Sequence, residues 1–328
     1  MSKRILLTGG SGFVGSNLAR HLITSGHEVH LLLRNEEIPW RLKDIFRDFP
    51  THIADLRNKF TVNHAIREVS PEWVFHLAAY GAYPFQQDVS RMMQTNIIGT
   101  ANLLNACLIV GFEAFVNSGS SSEYGFNNNA PSENDNIEPN SFYAVTKASA
   151  TLSCRYAARA YHKQIATLRL YSVYGPYEEP SRLLPTIVLK GLRNEYPPLV
   201  NPAIGRDFVY IDDVVQAYVL AASIRNQELG AVYNVGTGIQ TTIRDVVETA
   251  RCELNISAEP KWGSMPERAW DTETWVCENR RIREKLGWQP QVDFKSGFRQ
   301  MAKWFQENPE IRAKYEARSP EMKTALPN

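Results

Sequence analysis

Tyr143 and Lys147 lie four residues apart in the run Ser141-Phe142-Tyr143-Ala144-Val145-Thr146-Lys147. On a helix that interval sets a phenol and an ammonium on one face. With an ordinary pKa of about 10, a tyrosine hydroxyl is a poor acid or base at neutral pH. A neighbouring ammonium favours the phenolate and draws that value toward the working range. Such a pair also occurs on ordinary surface helices, so its placement decides its meaning. Just upstream, Asn117-Ser118-Gly119-Ser120-Ser121-Ser122-Glu123-Tyr124-Gly125 follows an apolar strand pattern. The carboxyl ends of strands are where open α/β sheets bind ligands.

A second chemical feature sits at the amino terminus. Thr8-Gly9-Gly10-Ser11-Gly12-Phe13-Val14-Gly15 joins a predicted strand to a predicted helix, with Gly9, Gly12 and Gly15 at three-residue intervals. Glycine there permits a tight turn, close backbone approach to a pyrophosphate, and close helix packing. The helix N-terminus adds unpaired N–H groups and the positive end of its dipole. The reading is a dinucleotide site. The second strand ends in Leu33-Arg34-Asn35, with no acid at the position that ordinarily meets a free ribose 2′-hydroxyl. An Arg there suits a 2′-phosphate, so NADP(H) is expected over NAD(H).

These groups need a frame. Apolar runs and helical patterns alternate through the first half, which argues for a parallel sheet covered by helices. Strands are predicted at Arg4–Thr8, Glu28–Arg34, His52–Ala54, Trp73–Ala78, Ala114–Ser118 and Ile165–Leu170. Helices are predicted at Phe13–Ser25, Lys59–Val69, Val89–Val110 and Ser141–Tyr161. After Pro176 the alternation loosens and prolines punctuate the chain. The expected fold is α/β: a Rossmann-type doubly wound parallel sheet with a smaller C-terminal α/β lobe. Residues 1–175 form the dinucleotide-binding domain and 176–308 mainly the lobe, with some later segments returning to the sheet. Residues 309–328 read as a polar tail, loosely ordered.

Composition narrows the classes. Lys and Arg number 36 against 35 Asp and Glu, which removes the electrostatic argument for nucleic acid or an anionic membrane as partner. The four cysteines, Cys107, Cys154, Cys252 and Cys277, are scattered, as in a reducing compartment. No clustered ligands suggest a metal, and no stretch has the length of a membrane span. A secretory leader would need a longer apolar run at the start. The expected location is cytoplasmic.

Further motifs run in order along the chain: Ala54-Asp55-Leu56, His76-Leu77-Ala78-Ala79, Asn96-Ile97-Ile98-Gly99-Thr100 and Leu170-Tyr171-Ser172-Val173-Tyr174-Gly175-Pro176. Arg206-Asp207-Phe208-Val209-Tyr210-Ile211-Asp212-Asp213, Asn234-Val235-Gly236 and Leu286-Gly287-Trp288 follow. Together with the glycine turn and the Tyr/Lys pair, this series resembles the extended short-chain dehydrogenase/reductase family of nucleotide-sugar epimerases, dehydratases and 4-ketoreductases. The resemblance implies that Ser120 hydrogen-bonds the sugar oxygen, Tyr143 exchanges its proton, and Lys147 tunes the tyrosine while holding the nicotinamide ribose. It implies cofactor contacts from Gly9, Gly12, Phe13, Val14, Gly15, Arg34, Asp55, Leu56, Ala78, Ala79 and Asn96. For the substrate, a nucleoside-diphosphate sugar, it implies Tyr80, Ser121 and Ser172, with Arg206 and Arg268 clasping the pyrophosphate. The helices at Val89–Val110 and Ser141–Tyr161 are those the family pairs into a four-helix homodimer interface.

Two departures steer the reaction. Dehydratases of the family carry an acid just after the catalytic hydroxyl residue, where this chain has Ser121 and Ser122, with Glu123 one residue late. The family's usual Asn is replaced by Ser172. Dehydration is therefore set aside. Arg34 favours an NADP(H)-dependent reductase acting at C4 of an NDP-4-keto-6-deoxysugar. The alternative is a 4-epimerase with tightly bound NAD, and the third reading is a non-catalytic dinucleotide-binding regulator.

Overall fold

The computed structural model describes residues 1–127, 129–225, 227–265 and 274–318. β1 (Arg4–Thr8) is a continuous apolar run, and its side chains go alternately to two cores. Ile5 and Leu7 join one core, while Leu6 joins the other with Leu32, Val74 and Phe115. A strand with two buried faces needs helices on both, and it has them. β2 (Glu28–Leu33), β3 (Thr51–Ile53), β4 (Trp73–His76), β5 (Ala114–Ser120) and β6 (Ile165–Leu170) extend the sheet. β7 (Ser172–Tyr174), β8 (Gly205–Arg206) and β9 (Phe208–Tyr210) lie outside it, and β10 (Val232–Val235) returns to it. The order is β10-β6-β5-β4-β1-β2-β3, parallel throughout. This is the Rossmann-type doubly wound arrangement.

α1 (Phe13–Thr24) packs on one face; on the other lie α2 (Lys59–Val69), α4 (Gly99–Val110) and α5 (Phe142–Tyr161), with the short α3 (Val89–Met92) preceding α4. The helix predicted as continuous over 89–110 contains a π-helical turn, Met93–Ile98, which carries Asn96. Beyond β7, α6 (Leu183–Gly191), α7 (Ile211–Ser223) and α8 (Ile243–Leu254) build onto the first core. α9 (Arg280–Leu286) and α10 (Phe294–Glu307) follow. The polar stretch after residue 308 begins with a helix, α11 (Pro309–Arg318), rather than a loose tail. Its anchor is Tyr315, fully buried, whose ring meets Phe305 edge-on.

Candidate active site

A cleft of about 980 Å³ opens at the carboxyl edge of the sheet. The glycine turn forms one wall, and the positions of its glycines are sterically required. Gly9 has φ +73°, and a Cβ there would stand 2.5 Å from the Ala78 nitrogen. A Cβ on Gly15 would fall 2.2 Å from the Gly9 carbonyl oxygen. Gly12 caps α1 without a side-chain bond to the first-turn N–H groups. Those donors are left for an anion at the positive end of the dipole, so the turn fits a dinucleotide pyrophosphate. Phe13, Val14, Arg34, Asp55, Leu56, Ala78 and Ala79 line the same cleft. Asp55 is engaged by a fork from Arg57, with N–O distances of 2.6 and 3.0 Å.

Ser120, Tyr143 and Lys147 converge on that cleft from β5 and α5. The Ser141 hydroxyl caps α5 by accepting from the Ala144 N–H at 3.2 Å, which places Tyr143 in the first turn. Here the structure departs from expectation. Burial pushes Tyr143 up to about 12, opposed by a hydrogen bond with Ser120. Lys147 is itself lowered by burial, and the charges acting on it come from Glu123 and Cys154.

Glu123 explains the geometry of Ser120. Its carboxylate accepts from the Ser120 N–H at 2.9 Å and from the Thr151 hydroxyl at 3.0 Å, tying the end of β5 to α5. It is fully buried and does not line the cleft, so it is placed to hold the serine rather than to protonate a leaving hydroxyl. Asn96 is buried, 2% exposed, and is not among the residues that line the cleft. Its amide donates to the Tyr80 carbonyl at 2.8 Å and to the Thr146 hydroxyl at 2.9 Å, and accepts from the Tyr80 N–H at 2.8 Å. With both amide hydrogens committed to protein, it positions the crossing segment.

His76 bridges Thr8 at 2.8 Å and Thr100 at 2.9 Å. Thr100 gives its hydroxyl hydrogen to the Asn96 carbonyl at 2.6 Å, so His76 Nε2 is assigned as the donor to Thr100. Nδ1 then accepts from Thr8, whose oxygen accepts from the Ala78 N–H at 3.2 Å. Burial holds this ring neutral, its pKa lowered to about 3. The chain of bonds fixes Ala78 against Gly9.

Tyr80, Ser121, Ser172 and Arg206 also line the cleft. Ser121 accepts from Trp275 Nε1 at 3.0 Å, a contact no local motif announces. Arg206 pairs with Thr241 in a short antiparallel ladder, and the adjacent Asp207 accepts from the N–H groups of Thr237 at 2.7 Å and Gly238 at 2.9 Å. Arg268 lies outside the described residues. Reasoning from the sequence missed Glu178, Glu179, Arg182 and Trp40 as lining groups. Among the described residues, no group of His, Cys, Asp and Glu is arranged to hold a metal. No described helix is long and apolar enough to cross a membrane.

A sheet of this order, with a glycine turn and a Ser/Tyr/Lys set at its carboxyl edge, defines an enzyme of the extended short-chain dehydrogenase/reductase type. The chain belongs to the NAD dependent epimerase/dehydratase family, whose model matches residues 5–236. It is 29% identical to the UDP-glucose 4-epimerase of Mycolicibacterium smegmatis, over 92% of this chain and 98% of that protein. It is 26% identical to a trifunctional UDP-glucose 4,6-dehydratase/UDP-4-keto-6-deoxy-D-glucose 3,5-epimerase/UDP-4-keto-L-rhamnose-reductase of Arabidopsis thaliana, matching over 94% of this chain. The chain spans about half, 48%, of that plant protein's length. The UDP-glucose 4-epimerase of Thermus thermophilus, solved in complex with NAD, superposes with a TM-score of 0.82 at 28% identity. That match covers 92% of this chain and 98% of the other.

Proposed function

We propose that this protein is a 4-epimerase of a nucleoside-diphosphate hexose, with UDP-glucose the first substrate to test and NAD its retained cofactor. The observation that carries the reading is the convergence of Ser120, Tyr143 and Lys147 on the cleft that the glycine turn walls, while Glu123 is buried outside it. Bound NAD supplies a reversible oxidant for C4. In the proposed reaction Tyr143, held as phenolate by the positive charge of the oxidised nicotinamide when that is bound, takes the C4 hydroxyl proton and later returns it, and Ser120 steadies the oxygen between these steps. Lys147 holds the nicotinamide ribose. Gly9, Gly12, Phe13, Val14 and Gly15 hold the pyrophosphate, and Asp55, Leu56, Ala78 and Ala79 border the rest of the dinucleotide. Arg206, Ser121, Ser172 and Tyr80 receive the sugar nucleotide, joined by Arg268. Full-length likeness to UDP-glucose 4-epimerases supports epimerisation over reduction.

A second reading rests on Arg34, exposed at the cleft beside Asn35 with no acid closing β2. It is NADP(H)-dependent reduction of an NDP-4-keto-6-deoxysugar. One experiment separates the two: identify the copurifying dinucleotide, then incubate the protein with UDP-glucose and no added reductant. Retained NAD and formation of UDP-galactose are expected. NADPH oxidation on a 4-keto-6-deoxysugar nucleotide, without interconversion of any UDP-hexose, would overturn the epimerase in favour of the reductase. The same reading takes residues 1–175 as the dinucleotide half, 176–308 mainly as the substrate lobe, and a cytoplasmic homodimer as the working form.

A further inference from the structure

Glu178 lies in the loop between β7 and α6, where the chain turns sharply at Gly175 (φ +141°). Two side chains from elsewhere in the chain fasten the loop. Arg41 donates to the Tyr177 carbonyl at 2.7 Å, to the Ser11 carbonyl at 3.4 Å, and to the Glu179 carboxylate at 3.2 Å. Tyr315 donates to the Glu178 carbonyl. Glu179 is thus committed to Arg41, and Glu178 is not. Glu178 lines the cleft and is 5% exposed, yet its Oε2 is buried without a hydrogen-bond partner. Arg182 comes no closer than 4.0 Å to Oε1 and is itself half-exposed. Tyr83, Arg182 and Tyr143 line the same cleft as Glu178.

We infer that Glu178 is a sugar-recognition residue, its carboxyl meeting a hydroxyl of the hexose. The inference rests on the proposed function and names a contact that reading lacks. A buried polar atom left unpaired in a binding wall is costly until a ligand group completes it. A hexose hydroxyl oxygen can accept the hydrogen of a neutral carboxyl. Burial raises Glu178 to about 8, against the pull of Arg182, the Gly175 backbone and Arg41, and with Glu179 adding to the rise. Tyr83, Tyr174 and Tyr315 face it from the other packed elements and stay uncharged at neutral pH. The carboxyl therefore meets its ligand as a neutral donor near pH 7 and loses that hydrogen as pH passes 8.

The test compares UDP-glucose with UDP, which lacks the sugar, as ligands of the NAD-loaded protein by calorimetry from pH 6.5 to 9. Glu178→Ala should weaken UDP-glucose about ten-fold at pH 7 while UDP and NAD stay within about two-fold, a loss typical of one hydrogen bond. Glu178→Gln, which keeps a donor, should recover most of that affinity. It should also remove the weakening that the wild type shows above pH 8. Equal losses for UDP and UDP-glucose, or a matching loss for NAD, would overturn the inference, as would Glu178→Ala binding UDP-glucose like the wild type. Wild type that binds neither UDP nor UDP-glucose would sink the functional reading and this one with it.

Discussion

Glu123 and Arg169 form a buried ion pair, Oε2 to Nε at 2.9 Å, with side chains 0% and 3% exposed. Because the other carboxylate oxygen holds the Ser120 amide and the Thr151 hydroxyl, stability and catalytic geometry depend on one group. Glu123→Ala leaves a buried guanidinium uncompensated and should cost about 3–5 kcal/mol in urea unfolding. A variant as stable as the wild type would show that Arg169, stacked on Tyr124 at 4.5 Å, needs no anion.

Tyr143→Phe removes the hydroxyl and keeps the ring. Turnover should fall by roughly 10²–10⁴-fold, the usual worth of a positioned acid–base group, while NAD stays bound. Undiminished turnover would remove Tyr143 from the chemistry.

His76 makes stability depend on pH. Its pKa is lowered to about 3 in the folded protein, against about 6.5 in an unfolded chain. Between those values the unfolded state holds the extra proton. The contribution is therefore complete above about pH 6.5 and declines as pH falls toward 3, by about 1.4 kcal/mol per unit. Denaturant midpoints from pH 7 to 5 should slope less steeply for His76→Asn than for the wild type. Parallel slopes would mean that the histidine is not held neutral.

The outer face of α5 presents Phe142, Val145, Leu152 and Tyr156, exposed by 58, 39, 52 and 69%, at helical spacing. Ile98 and Ile109, at 51 and 70%, are exposed on the preceding helical stretch. If these faces meet across a two-fold axis, Leu152→Glu should halve the mass seen in sedimentation and leave the monomer folded. A wild type that sediments as a monomer would remove the four-helix interface.

Much of the frame was legible because its signals are local. β1 and β6 are apolar runs whose ends match the predicted limits, and Gly9 sits where a side chain would strike Ala78. The glycine turn and the Tyr143/Lys147 spacing on one helix were legible for the same reason. Roles set by distant partners were not. Asn96 stands in a recognisable motif, yet its amide is consumed by Tyr80 and Thr146, and that follows from three-dimensional packing. Glu123 stands one residue away from the dehydratase pattern, but its commitment to Arg169 and Thr151 is a tertiary fact. Tyr315 lies in a charged stretch whose composition hides the single aromatic side chain that anchors it.

The seventh strand of the sheet comes from late in the chain. β10 pairs with β6, Val232 against Thr167, and Asn234 accepts from the Tyr124 hydroxyl at 2.7 Å. Until residues 232–235 leave the ribosome, β6 keeps an open edge and the segment after Ser120 lacks that anchor. Distant pairings of this kind close late in folding because loop-closure entropy opposes them. The wall that carries Ser120 is thus completed only by a strand made more than a hundred residues later.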